Sequence, residues 1–277
     1  MQRFLLKICH FGIWALVVLL LCEGIYFYSG QFENKVNGKE VYWALRQSKT
    51  KQKKKKVIIG DSVGMQLFPC YGQYDSIASL ACNQAVSMAG FYFLLHNYLE
   101  TNAENPPSEV ILLFNPFSLD NNLDRFAFQY FLKPFHRPDY FPFYEDCLLE
   151  RCHIIPFYWF ANVPFVRSSS YSVSYTMPKG TYALASPIAQ EYLNKITTVC
   201  SEKHIAFRIV PVPVRENRRT DLEDRYRRCA ENNELPADIL QALKAKTVYY
   251  PNDWYRDHVH FSNQALQTID RQQLIAR

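Results

Sequence analysis

Short apolar runs alternate with helix-length segments from residue 57 onward. Runs of strand length occupy residues 57–59, 109–114 and 205–212, with a shorter candidate at 247–250. Segments of helical length lie between and after them, at 88–100, 188–201 and 262–275. Strands that alternate with helices predict an α/β fold, in which a parallel sheet is covered by helices on both faces. In such a sheet the active crevice lies at the carboxyl ends of the strands.

The first thirty residues form a separate unit. Ile8–Tyr28 is apolar except for His10 and Glu23, and about 20 apolar residues are enough for a helix to cross a membrane. A cleaved signal would need small residues before its cut site, and bulky Leu21 does not fit a lipoprotein box at residues 19–22. We therefore predict an uncleaved N-terminal anchor, with a processed signal or a lipoprotein as the alternative.

The net charge of +5 is concentrated in one run. Lys51 and Lys53–Lys56 contribute five positive charges, and the rest of the chain is neutral. A nucleic-acid site needs a basic face spread over the fold, so we expect no nucleic-acid partner. The run is better interpreted as a lipid-headgroup contact or a solvated linker. Basic residues flank the apolar segment almost equally, so charge alone does not assign the side of the membrane.

These patterns divide the chain into an anchor, a linker and a body. The anchor covers residues 1–30, the basic linker 31–55 and the body 56–277. An aromatic-rich, proline-interrupted insertion occupies about residues 117–182 of the body. We expect its aromatic side chains to pack over the sheet; the alternative is that they line an acyl or glycan site.

Metal and disulfide chemistry have little support in the sequence. Neither a C-x-x-C pair nor an H-E-x-x-H motif occurs, so we predict no metal site and no cofactor. The body contains six cysteines, which are predicted to be buried thiols. Cys147 and Cys152 are the first pair to test for a disulfide.

The candidate chemistry lies near the two ends of the body. Ser62, in the motif Gly60–Gly64 (GDSVG), follows the first strand directly, where a turn exposes the serine at the sheet edge. Asp257 and His260 precede the last predicted helix. Serine needs a base to become a nucleophile, and histidine needs an acceptor that fixes its tautomer. We predict Ser62 as nucleophile, His260 as base and Asp257 as its orienting carboxylate. The alternative is that Asp61 and Ser62 only cap the following helix.

These motifs also allow other assignments. His258 would replace His260 if the loop had a different register, and Asp253 is the reserve carboxylate. The motif GDSVG also matches the nucleophile elbow of α/β-hydrolases. In that family the elbow follows several strands and the acid and histidine come from separate loops, which disagrees with the order here.

The motifs GDS after the first strand and D-x-x-H before the last helix resemble the SGNH/GDSL hydrolase superfamily. The resemblance covers about residues 56–275 and implies a three-layer α/β/α fold, flavodoxin-like in arrangement, with serine ester chemistry. It also implies an oxyanion hole built from two middle motifs. Asn83 supplies the Asn of the second motif, but Met88 stands where a Gly is expected and Gly90 comes two residues later. In the third motif Phe117 occupies the usual Asn position, and Asn115 is the candidate substitute.

Together with the anchor, the chain is similar to the membrane-anchored branch of that superfamily, which acts on cell-envelope polymers. Examples are the D-alanyl transfer protein of teichoic acids and the alginate O-acetylation proteins. The resemblance implies a periplasmic or cell-surface body, an acylated polysaccharide or other ester as substrate, and a membrane acyl-donor protein as a further partner. Hydrolysis and acyl transfer share the same acyl-enzyme, so both remain open. A second hypothesis is a catalytically silent protein of this fold that binds glycan or an assembly partner, which Met88 and Phe117 favour.

Overall fold

The computed structural model describes residues 2–28, 38–123, 131, 134–154 and 181–276. The described α-helices are α1 Gln2–Tyr28, α2 Lys39–Ser48, α3 Ser62–Leu67, α4 Ser87–Thr101, α5 Asp146–Ile154, α6 Pro187–Glu202, α7 Arg219–Glu231, α8 Ala237–Lys246, α9 Asn263–Thr268 and α10 Arg271–Ala276. The described strands are β1 Lys56–Gly60, β2 Ile77–Ser79, β3 Glu109–Phe114, β4 Ala206–Pro211, β5 Val214–Arg215 and β6 Tyr249–Tyr250.

Four of these strands form a parallel sheet in the order β2-β1-β3-β4. Lys56 is paired with Glu109, and Glu109 with Ala206, so β1, β3 and β4 begin at one level. Their carboxyl ends therefore meet at one edge, called the carboxyl edge below, and their starts form the amino edge. A separate two-stranded parallel ladder, β5-β6, lies beyond the carboxyl end of β4 along the chain.

Both faces of the sheet are buried. Successive side chains of a strand point to opposite faces, so each strand contributes to two apolar clusters. One apolar cluster contains Val57 and Ile59 with residues of α4 and α6, and the other contains Ile58 with residues of α3, α9 and α10. The predicted α/β fold with a parallel sheet is confirmed at this level. The predicted strands match β1, β3 and β4 closely, and the helix predicted at 88–100 matches α4.

The segment predicted as one helix at 262–275 forms two short helices instead. α9 ends at Thr268 and α10 begins at Arg271. The Asp270 carboxylate accepts hydrogen bonds from the amides of Gln272 and Gln273, which starts the second helix at that point. The apolar periodicity alone did not reveal this break.

The segment assigned to a linker contains a packed helix. α2 buries Val41, Tyr42 and Ala44 completely or nearly so. It runs from the carboxyl edge, where Glu40 Oε1 accepts a hydrogen bond from Asn83 Nδ2 at 3.1 Å, to the other end of the fold. There Ser48 Oγ accepts a hydrogen bond from Asn97 Nδ2 at 3.3 Å. The body described by the structure therefore begins at α2.

The basic run lies at the amino edge of the sheet. Lys56 opens β1 and pairs with Glu109 at 3.0 Å, and Lys54 Nζ donates to the carbonyl oxygen of Tyr74 at 2.5 Å. The run is therefore partly tied to the body, and it lies at the end of the sheet opposite the candidate chemistry.

α1 lies outside this packed body. Its segment Arg3–Cys22 is, among the described residues, the one helix long and apolar enough to cross a membrane. The structure does not assign a side to it. The side chains of Tyr26 and Tyr28, near the carboxyl end of the predicted anchor, lie outside the part of the chain that the structure describes.

The cysteines described in the body are all free thiols. Five are buried, and Cys147 is partly exposed. Cys147 and Cys152 lie five residues apart on α5, where a helix points them in different directions. Much of the predicted insertion at 117–182 lies outside the described residues. Four of its described aromatic side chains, Phe131, Phe135, Tyr140 and Tyr144, are buried in the core around Phe93, whereas Phe141 is exposed.

Candidate active site

The turn after β1 carries the candidate nucleophile. β1 ends at Gly60, and α3 begins at Ser62. A Cβ on Gly60 or Gly64 would clash with the carbonyl oxygen of Leu113 in β3. Both glycines of the GDSVG motif are therefore required by the close approach of this turn to the neighbouring strand.

Asp61 is the N-cap of α3 and is fully buried. Its Oδ1 accepts hydrogen bonds from the amides of Val63 and Gly64 at 2.9 and 3.0 Å. Its Oδ2 accepts from the amide of Asn115 at 2.7 Å and is 2.5 Å from Ser118 Oγ. Burial raises the pKa of the Asp61 carboxyl, against the opposing effect of these hydrogen bonds. The capping interpretation is thus correct for Asp61, which occupies two amides at the start of α3.

The second part of the site is the loop between β6 and α9. Asp257 Oδ1 accepts hydrogen bonds from the amides of Val259 and His260 at 2.9 and 2.8 Å. These bonds close a tight turn that returns the His260 ring onto the same carboxylate, with Nδ1 2.9 Å from Asp257 Oδ2. A spacing of three residues from acid to histidine is therefore enough for this contact.

Ser62 and His260 meet although 198 positions separate them. Ser62 Oγ lies 2.9 Å from His260 Nε2. The serine hydroxyl thus points to the imidazole, whereas Asp61 supplies the helix cap. The structure brings together Ser62, His260 and Asp257 in the order that the sequence predicts.

Gln66 on α3 holds the histidine loop in place. Its Oε1 accepts from the amide of Phe261 at 3.0 Å, and its Nε2 donates to the Phe261 carbonyl at 3.4 Å. The Phe261 side chain is fully buried beside Tyr255. His260 is therefore fixed one residue before a buried anchor that is bonded to the helix of Ser62.

The electrostatics of Asp257 suit an orienting role. Partial burial would raise the pKa of its carboxyl, but hydrogen bonds from the amides of His260 and Val259 and from the His260 ring outweigh it and hold the pKa at about 2. An ionised carboxylate accepts a proton donor, so it places the ring hydrogen of His260 on Nδ1. The Nε2 lone pair then faces Ser62.

The reserve residues do not take part in this contact. His258 and Asp253 are both exposed, and the structure gives neither a hydrogen bond to Ser62. The loop register therefore selects His260 over His258, two residues away.

The residues predicted from the second oxyanion motif have mostly structural partners. Asn83 caps the 3₁₀ turn Gln84–Val86 by accepting from the amide of Ala85 at 2.9 Å, and its Nδ2 donates to Glu40. Gly90 lies inside α4, where a Cβ would clash with the Val86 side chain. Its lack of a side chain is thus explained by packing.

Of Met88, only the backbone amide is placed to act as a hydrogen-bond donor in the site. Its side chain is buried in the core, and it is the second residue of α4, before helical hydrogen bonds begin to use the amides. Ser87 just before it has a φ of 57° and a buried hydroxyl without a hydrogen-bond partner among the described residues. This strained residue re-directs the chain between the 3₁₀ turn and α4.

Asn115 follows β3 at the carboxyl edge, beside the turn of Ser62. Its amide donates to Asp61, and its Oδ1 accepts from the amide of Phe117 at 3.0 Å. The contacts of the described residues leave its Nδ2 donor unused. Phe117, at the family's Asn position, instead packs under the guanidinium of Arg218 at 4.4 Å.

Two partners of the site were missed from the sequence. Ser118 joins Asp61 to Gln84, whose Oε1 lies 3.0 Å from Ser118 Oγ, and Gln66 bonds to Phe261. Ser118 follows Phe117 directly, within the segment that resembles the third SGNH/GDSL motif, which was a usable signal; Gln66 carried none. Within the residues described, no group of three or more His, Cys, Asp or Glu side chains is arranged to hold a metal ion.

Comparisons with protein-family models, curated proteins and solved structures find no match to this chain. The function must therefore be argued from the site itself.

Proposed function

We propose that the protein is a serine esterase or O-acyltransferase that works through an acyl-enzyme on Ser62. The observation that carries the proposal is the chain of contacts Ser62–His260–Asp257, at 2.9 Å for each link. Nucleophile, base and orienting carboxylate within hydrogen-bond distance are the arrangement by which serine is activated.

In the proposed reaction His260 Nε2 accepts a proton and donates it again in each of two steps. Ser62 Oγ attacks the acyl carbon of an ester while its proton passes to His260 Nε2. The tetrahedral intermediate collapses when His260 gives that proton to the departing alcohol oxygen, which leaves an acyl-Ser62 ester. Water or a sugar hydroxyl then gives its proton to His260 and attacks the acyl carbon, and Ser62 regains its hydrogen. Asp257 remains ionised and stabilises the imidazolium at each stage.

Charge on the intermediate needs hydrogen-bond donors near Ser62. The amides of Val63 and Gly64 already bond to Asp61. We assign this role to the amides of Ser62 and Met88 and to Asn115 Nδ2, because Asp61 does not engage the first and the other two have no competing acceptor in the described contacts. Loss of one such donor lowers the rate by about 10²–10³-fold in a well-studied hydrolase.

The wider proposal follows the resemblance to the SGNH/GDSL superfamily. It includes a three-layer arrangement, a body on the outer side of a membrane, an acylated cell-envelope polymer as substrate and a membrane protein as acyl donor. Support comes from the parallel sheet with both faces buried and from α1, which is long and apolar enough to cross a membrane.

The test is labelling of the full chain in detergent with a fluorophosphonate probe, which reacts with activated serines. We expect labelling of the wild type and none of Ser62→Ala or His260→Ala. Two matched controls, Ser201→Ala on the exposed side of α6 and His258→Ala two residues from the base, should label as the wild type does.

A second candidate is a binding protein of the same fold without catalysis. It is favoured by Asp61, which takes two of the amides at the Ser62 turn, and by Asn83, whose side chain is engaged by Ala85 and Glu40. A folded wild type that the probe does not label would make this the better assignment.

A further inference from the structure

Arg215 lies next to the Ser62–His260–Asp257 site without a carboxylate partner. It ends β5, which is paired with β6 through Arg215 and Tyr250. β6 leads directly into the loop of Asp257 and His260. The backbone pairing therefore fixes Arg215 beside that loop, and its Nη1 lies 3.5 Å from the Asp257 carbonyl oxygen.

The guanidinium of Arg215 is poorly satisfied. The 3.5 Å contact is at the outer limit of a hydrogen bond. Its Nε is buried and has no hydrogen-bond partner among the described residues. A guanidinium has five N–H donors, and an unpaired buried donor is costly. The remaining donors are thus available to a group that enters from outside.

Two acidic residues close to Arg215, Glu216 and Asp257, already have hydrogen-bond partners. Glu216 bonds with both oxygens to Arg219, at 2.7 and 2.9 Å. Asp257 serves two amides and the His260 ring, and Arg256 lies 3.7 Å from its Oδ2. Arg215 and Arg256 therefore both lie beside Asp257, a carboxylate that the His260 ring already engages.

We propose that Arg215 binds an anionic oxygen group of the substrate, a carboxylate or a phosphate, and so selects negatively charged esters. This deepens the proposed function and rests on it. The planar fork of an arginine matches two oxygens of either group at once, which a lysine cannot reproduce. The anion would then lie on the His260 side of the ester that Ser62 attacks.

Anion binding is measured first, because it needs no turnover. The full chain in detergent is titrated with inorganic phosphate and, separately, with acetate, while the arginine Nε–H signals are followed by NMR. We expect a saturable shift of the Arg215 signal. In Arg215→Gln the affinity should fall by about tenfold or more, and Arg215→Lys should recover only part of it. The tighter of the two anions identifies the group that the site prefers.

Arg227→Gln on α7 is the matched control, because that exposed guanidinium bonds to Asp224 and Glu231 and its loss leaves Glu216 bonded to Arg219. It should bind phosphate and acetate as the wild type does. The inference is overturned if neither anion gives a saturable shift in the wild type, or if Arg215→Gln binds them unchanged. A wild type that labels with fluorophosphonate but binds no anion contradicts only this inference. Anion binding without labelling contradicts only the catalytic proposal.

Selectivity provides the second readout. The ratio of kcat/KM for mono(4-nitrophenyl) succinate to that for neutral 4-nitrophenyl acetate should fall about tenfold in Arg215→Gln, with the change mainly in KM. Arg227→Gln should leave the ratio as it is. An equal loss on both esters would assign Arg215 a structural role and reject the inference.

Discussion

The two carboxylates of the site, Asp61 and Asp257, have opposite environments. Asp61 is fully buried, receives donors from three amides and contacts the Ser118 hydroxyl, and its burial raises its pKa. The Asp257 side chain is 45% exposed, and its hydrogen bonds hold its pKa at about 2. Asp61 is a neighbour of Ser62 in sequence but joins the turn to β3, whereas Asp257 is distant in sequence and acts on His260. Proximity to Ser62 in the sequence therefore does not indicate which acid contacts His260.

The largest expected effect separates the two acids by activity. Asp257→Asn should lower the rate of ester turnover by about 10⁴-fold, because an amide no longer fixes the tautomer of His260. The free energy of unfolding should change by less than about 1 kcal/mol, since the side chain is half exposed. Steady-state kinetics and urea unfolding of the same sample check both. Unchanged turnover would remove Asp257 from the site.

The next effect concerns stability. Asp61→Ala leaves the amides of Val63, Gly64 and Asn115 buried without an acceptor, so the free energy of unfolding should fall by about 2–4 kcal/mol. The control Asp253→Ala removes an exposed carboxylate on the Asp257 loop and should change it by less than about 0.5 kcal/mol. Equal losses in the two variants would show that the buried contacts of Asp61 contribute nothing special.

A smaller effect tests the link between the two halves of the site. Gln66→Ala removes both hydrogen bonds to Phe261 and should cost about 1 kcal/mol of stability and about tenfold in turnover, since His260 loses its fixed position. Gln267→Ala, on the exposed side of α9, is the control for both measurements. If turnover stayed constant while stability fell, Gln66 would support the fold without positioning the base.

The smallest effect is the pH dependence of stability. The pKa of Asp257 is lowered, so its contribution to stability is present above pH 3.8 and is lost as the pH falls through about 2. The pKa of Asp61 is raised, so its contribution is present below pH 3.8 and is lost as the pH rises through its folded-state value. The difference in Tm between wild type and Asp257→Asn should shrink from about pH 5 to about pH 2. A difference that stays constant over this range contradicts the assigned shift.

Much of the fold could be predicted from local patterns. The predicted bounds of β3 match the structure, and those of α4 and α6 differ from it by one residue at each end. β3 is an apolar run, and α6 repeats apolar residues at intervals of three or four positions. The break between α9 and α10 depends on one capping carboxylate, which periodicity does not report. α2 was not predicted, because its charged residues resemble those of the basic segment that follows it.

Contacts within one motif of the candidate site could be predicted from spacing, and the pairing of Ser62 with His260 from the chemistry that a serine nucleophile requires. Asp257 and His260 lie within one turn, so their contact followed from spacing. The contact of Ser118 with Asp61 crosses 57 positions, and the unpaired state of Arg215 depends on which acids Arg219 and His260 occupy. Such properties arise from three-dimensional competition for partners, which a linear pattern does not contain.

The course of α2 limits where Ser62 can work. Ten peptide steps join Tyr28 at the end of α1 to Gly38 at the start of α2, a span of at most about 35 Å, and α2 starts at the carboxyl edge. If α1 is embedded in a bilayer, this connection holds the end of the body that carries Ser62 within a thin layer above the lipid, and the lysine run is at the far end. Esters carried by molecules in that layer would then meet Ser62 at a high effective concentration, whereas free esters in solution would meet it only at their bulk concentration.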